Sequence, residues 1–196
     1  MTAAVLFALL SMLFTGVIDV LYKVYSGGAC SRGLFLCGMG LVWGVLQLGT
    51  WAVDGGPGFH FTGIGYGLLA GLFLTASNIA LVEAMTHVPV SLGSTIYRLN
   101  TIGVVALSWL LLAESTGAFK VFGVTLGVLA VLLLYHRSDE HAGERLFVVF
   151  CLVAVGASLM RASYGVASKA ALIAGADPNV LMGVAAVCWI VGGFGY

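Results

Sequence analysis

Arg161 is the residue in this chain with the most chemistry to offer. It falls inside a long apolar run and has no acidic residue three or four positions away to neutralise it along a helix. An ionised side chain at that depth in a bilayer is costly, so it must face protein, water or a ligand. Its planar guanidinium fork matches a carboxylate or a phosphate. Tyr164, three residues on, adds a ring and a hydroxyl to the same helix face. The purely structural alternative is an interhelical pair with an acid such as Asp19 or Glu83. The two roles are compatible, because a substrate can compete for the arginine.

Four other charges sit in apolar surroundings. Asp19 and Lys23 are four apart and share one face of a helix. Glu83 falls near the end of a further apolar run and Arg98 about two turns into the next, with Tyr97 and Asn100 beside the arginine. Asp19, Lys23 and Glu83 are candidates for gating or ion coupling. Arg161, Tyr164, Arg98, Tyr97 and Asn100 are candidates for substrate binding. The alternative is locally neutralised pairs near the membrane surface, with Lys23 snorkelling outward. A Glu83 and Arg98 pair is expected from their similar depth, as is an Asp19 contact to Arg161 in an empty site. Ser77, Asn78, Thr101 and Ser108 read as bonds to neighbouring helices, and the tryptophans as core or interfacial aromatics.

No metal or cofactor chemistry is expected. Cys30, Cys37, Cys151 and Cys188 lack metal-ligand spacing and read as small apolar packing residues. His60 and His87 fall in connections, and His136 and His141 flank a polar segment without a metal-binding pattern.

These residues need elements to carry them, and composition says which. Charged residues make up 8% of the 196, against roughly 25% in soluble domains. A bilayer-spanning helix needs about 20 apolar residues. Helices are expected at 3–25, 33–53, 62–85, 91–113, 119–135, 146–173 and 179–194, an all-α polytopic transmembrane bundle. Breakers separate them: Ser26-Gly27-Gly28, Asp54-Gly55-Gly56-Pro57, His87-Val88-Pro89 and Gly175-Ala176-Asp177-Pro178. The one polar stretch is 136–145. The first eighteen residues lack the basic start of a signal peptide and read as a spanning helix.

Short connections predict that consecutive helices among the first five are antiparallel neighbours. Gly63, Gly67 and Gly71 form the strongest close-packing stripe, with Gly40/Gly44 and Gly123/Gly127 as weaker ones. Shifting the chain by 146 residues places Lys23 on Lys169 and Trp43 on Trp189. That shift makes a repeat of five helices, and an odd repeat re-enters the membrane inverted, as in many secondary transporters.

The segment 88–135 reads VPVSLGSTIYRLNTIGVVALSWLLLAES, a short turn with Lys120, then VFGVTLGVLAVLLLY. It resembles the EamA-type family of the drug/metabolite transporter superfamily, in which an acidic residue (here Glu114) ends a helix before a Gly-rich fifth one. The proline that many members carry near Asn100 and Thr101 is absent here. The resemblance implies ten helices in two inverted units of five. Residues 1–135 correspond to the first unit, 136–145 to the loop between units, and 146–196 to the first two helices of a second, truncated unit. Seven of ten spans, a fragment, is therefore the expectation. Charge placement puts Lys23, Arg32, Arg137 and Arg145 inside, and hence the amino terminus outside. The resemblance implies an amino terminus inside.

The leading expectation is a multi-pass protein of a bacterial inner (plasma) membrane that moves a small-molecule substrate as a secondary transporter, export included, by alternating access. The second is a non-transporting structural or regulatory membrane subunit. A retinal protein needs a lysine in its last helix, and 179–196 holds none. An intramembrane serine protease needs a GxSG serine and a membrane-embedded histidine, and neither is present, so no enzyme and no catalytic residue are expected. Eight basic and eight acidic residues give no footprint for nucleic acid. The lipid bilayer is the partner that composition demands, and the oligomeric state is open.

Overall fold

A computed structural model describes residues 2–27, 31–53, 61–112, 117–136 and 145–196. The segments 54–60, 113–116 and 137–144, with Cys30, His60, Glu114 and His141, lie outside the described residues. Every described element is a helix: α1 (Thr2–Gly27), α2 (Arg32–Val53), α3 (Phe61–Ala84), α4 (Val90–Arg98), α5 (Asn100–Leu112), α6 (Ala118–His136), α7 (Arg145–Ile173) and α8 (Pro178–Gly195). Among the described residues, six segments are long and apolar enough to cross a membrane, with α4 and α5 together forming one of them. The chain is a multi-pass, all-α membrane protein.

Helix ends follow local chemistry. Ser31 Oγ accepts from the Leu34 N–H at 3.3 Å as α2 begins. Asp177 Oδ1 accepts from the Asn179 N–H at 2.8 Å, and Pro178 opens α8 where a missing N–H costs nothing. At the end of α7, Gly175 turns left-handed (φ 78°). This lets the Ala176 N–H reach the Ala171 carbonyl at 2.9 Å and close a Schellman cap.

One expected helix is two. The span foreseen at 91–113 is interrupted at Leu99 even though no proline is present. Leu99 donates to the Ile96 carbonyl at 3.1 Å and accepts from the Ile102 N–H at 2.8 Å, both three residues away. That is a 3₁₀-type tightening of the helical ladder.

Neighbour relations also differ from expectation. Consecutive helices α1 and α2, α2 and α3, and α7 and α8 barely touch, whereas α3 lies along α7 and α8, α2 along α8, and α5 along α7. Short loops set helix direction, but small-residue faces decide contact. The α3 stripe Gly63, Gly67, Gly71 meets the α8 stripe Val180, Val184, Cys188 in parallel register, and a methyl built on Gly67 would stand 2.8 Å from Val184 Cβ. Gly123 faces open space and Gly127 touches only Leu99, so the α6 pair plays no such part.

The contact between α2 and α8 is antiparallel and self-reciprocal. Gly40 lies against Ile190 while Gly44 lies against Ala186. Gly33 lies against Gly193 and Tyr196 while Asn179 accepts from Gln47 at 3.0 Å and lies 3.4 Å from the Thr50 hydroxyl. A 146-residue exchange maps each contact onto its partner: 33 onto 179, 40 onto 186, 44 onto 190, 47 onto 193 and 50 onto 196.

Candidate functional site

Where α1, α2, α3, α4, α7 and α8 converge, they line a partly open cavity of about 470 Å³. Its wall takes Ser11, Thr15, Ile18, Asp19 and Tyr22 from α1, Met39, Val42, Trp43 and Leu46 from α2, and Leu74 and Asn78 from α3. Tyr97 of α4, Arg161 and Tyr164 of α7 and Trp189 of α8 complete it. Spacing explains the choice. Residues 11, 15, 18, 19 and 22 lie on one face of α1, as 39, 42, 43 and 46 do on α2. A separate apolar groove near Gly44, Trp51 and Gly183 is lined by α2 and α8 alone and carries no charge.

Arg161 is half-buried and stacks over the Tyr164 ring, 5.0 Å from its centroid. It makes no ion pair among the described residues. The expected contact from Asp19 is absent because Asp19 Oδ2 already accepts from Arg98 Nη2 at 2.6 Å. The Asp19 side chain is 10% exposed and that of Arg98 47%. Arg98 thus neutralises a cavity carboxylate while standing outside the wall.

Glu83 does not meet Arg98 as expected. It accepts from Arg32 Nη1 at 2.8 Å and from the Tyr196 hydroxyl, tying the start of α2 to the ends of α3 and α8. Arginines outnumber acids here, so partner choice falls to helix rotation. Lys23 does not snorkel freely. Its Nζ donates to the Met85 and Val88 carbonyls at 2.5 and 3.0 Å, satisfying groups left over where α3 ends. Among the described residues, the Asn100 side chain accepts only from the neighbouring Thr101 hydroxyl, at 3.3 Å, and it is not in the cavity wall.

A polar knot lies beneath the cavity. The Tyr22 hydroxyl donates to Asn78 Oδ1 at 3.1 Å, and the Tyr97 hydroxyl reaches the same oxygen at 3.4 Å. Tyr97 also lies 3.4 Å from the Ser77 hydroxyl. Asn78 Nδ2 is left without a partner among the described residues, as is Trp189 Nε1. Both side chains are buried.

Of the candidates named from the sequence, the structure brings Arg161, Tyr164, Tyr97 and Asp19 into one cavity wall and leaves Arg98, Asn100, Lys23 and Glu83 outside it. Sequence reasoning missed Tyr22, Trp43, Asn78 and Trp189 as site residues. The pairing of Trp43 with Trp189 in the 146-residue shift was the available signal for two of them. Tyr22, three residues after Asp19, shares its helix face. Cys37 and Cys188 pack against Gly193 and Gly71, as small apolar residues should. His87 is exposed and stacks on Phe150 at 4.1 Å. No cluster of metal-ligating residues occurs among the described residues.

A sequence profile of the EamA-like transporter family matches residues 2–136. No curated protein and no solved structure matches the chain.

Proposed function

Because the chain belongs to the EamA-like transporter family, membrane transporters of the drug/metabolite superfamily rather than enzymes, we propose that it carries a small metabolite through the α1/α2/α7/α8 cavity as a secondary transporter. In this reading it works by alternating access in a bacterial inner membrane. Residues 1–135 form one unit, and 146–196 belong to a second, inverted one.

One observation carries the reading. Under the 146-residue exchange, Thr15 falls on Arg161, Ile18 on Tyr164 and Trp43 on Trp189, and all six line the same cavity. The reciprocal contacts between α2 and α8 supply the matching axis. A site astride the relation between repeats can be exposed to either face by rocking one unit against the other. Asp19 and Arg98 close one wall, and Arg32 with Glu83 clasps one end, so these charges act as gate elements rather than as substrate ligands.

Accessibility tests this directly. Thr15→Cys, in a background whose four cysteines are alanine, should react with an impermeant maleimide from either face of sealed vesicles. Reaction from one face only would reject alternating access and leave a structural or regulatory subunit.

A further inference from the structure

The cavity's unmatched groups say what kind of molecule it takes. Arg161 has no carboxylate partner among the described residues. Asn78 is 3% exposed with an unpaired Nδ2, and Trp189 is 8% exposed with an unpaired Nε1. A buried donor left unmet costs about 1–3 kcal/mol, so such groups usually have an acceptor in the functional state. All three are donors on side chains that line the one cavity, but the Asn78 and Trp189 nitrogens are sealed within the packing, so of the three the Arg161 fork is the one a ligand meets directly.

The charge count is equally specific. Asp19 and Arg98 cancel, which leaves Arg161 as the one uncompensated charge of the wall among the described residues. A monoanion would balance it, whereas a dianion would bring one buried negative charge too many. A ligand ammonium would find no free carboxylate, since Asp19 is committed to Arg98. Ile18, Met39, Val42, Trp43, Leu46 and Leu74 form the apolar part of the wall, and the remaining polar groups there are neutral hydroxyls of Ser11, Thr15 and the tyrosines.

From these observations we infer that the cavity selects a small monocarboxylate with an apolar body and no cationic group. The carboxylate takes the Arg161 fork, and the apolar body lies against the tryptophan and aliphatic side chains. This rests on the transport reading for the site's purpose but not for its chemistry.

Binding is measured apart from transport, as thermal stabilisation of the purified full chain in lipid nanodiscs. Phenylacetate and 4-methylpentanoate at millimolar concentration should stabilise it; phenylacetamide, phenethylamine and the dianion phenyl phosphate should do so far less. Arg161→Gln should weaken acid binding by roughly ten- to hundredfold, the worth of a charge-assisted hydrogen bond. Arg161→Lys should weaken it less, and Thr125→Ala, exposed on α6 and outside the cavity wall, should leave it intact. No stabilisation by either acid, equal stabilisation by amide or amine, or acid binding that survives Arg161→Gln overturns the inference. If acids bind but Thr15→Cys is labelled from one face only, the transport reading falls while the monocarboxylate site stands. Labelling from both faces with no preference for acids leaves transport standing and removes the monocarboxylate site.

Discussion

At the scale of single residues, the pairing of Asp19 with Arg98 makes an asymmetric prediction. Asp19 is buried and Arg98 half-exposed, so the two ends of the bond are not equivalent when broken. Arg98→Gln strands a carboxylate in a dry wall and should destabilise by about 2 kcal/mol. Asp19→Asn leaves an arginine that solvent or headgroups can hydrate, and it should cost less. Thermal unfolding of both single variants and the double variant in detergent checks this. The double should be more stable than Arg98→Gln alone, whereas Glu83→Gln combined with Arg98→Gln should be additive because their partners differ. Which residues carry charge into the membrane was legible in the sequence. Which acid meets which arginine was not, because Asp19 and Glu83 lie at similar depth and a modest rotation of α1 or α3 would exchange their options.

At the scale of elements, helix extents were legible because glycine, proline and capping residues punctuate them. The foreseen 33–53 and 146–173 differ by one residue from α2 and α7. The interruption at Leu99 was not legible: Asn100, Thr101 and Gly103 are weak helix formers, but the uninterrupted α3 holds the same residue types, and no proline marks the break. Helix neighbours were only half legible: the α3 glycine stripe was visible, but its target on α8 was not, because a close-packing face does not name its partner. That interface makes its own prediction. A methyl at Gly71 would stand 2.7 Å from Cys188 Cβ and 2.9 Å from Ala185 Cα, whereas one at Gly65 would meet nothing within 4 Å. Gly71→Ala should lower stability by about 1–3 kcal/mol, and Gly65→Ala should be neutral or slightly stabilising. Melting temperatures in one detergent compare them. Equal effects would mean that α3 and α8 do not pack through this stripe.

At the scale of the whole molecule, α8 is the keystone, running antiparallel to α2 and parallel to α3. Its contact with α2 exchanges onto itself, but the two ends of that contact are not chemically alike. One end is held by the hydrogen bond from Gln47 to Asn179, at 3.0 Å. The other sets Gly33 against the backbone of Gly193 and Tyr196, with the Tyr196 hydroxyl donating to the Glu83 that also accepts from Arg32. In the alternating-access reading proposed above, a carrier with perfectly equivalent halves would rest half its time facing each way, and unequal clasps would act as weights on a balance that set its resting bias. Removing the Gln47 clasp with Gln47→Leu takes away roughly 1 kcal/mol from one side, about a fivefold change in the ratio of the two resting populations. The labelling rate of Thr15→Cys from the face where α2 ends should rise relative to the opposite face, with little change in melting temperature. A fall in melting temperature with an unchanged ratio would mean that the clasp holds the fold together and leaves the balance alone.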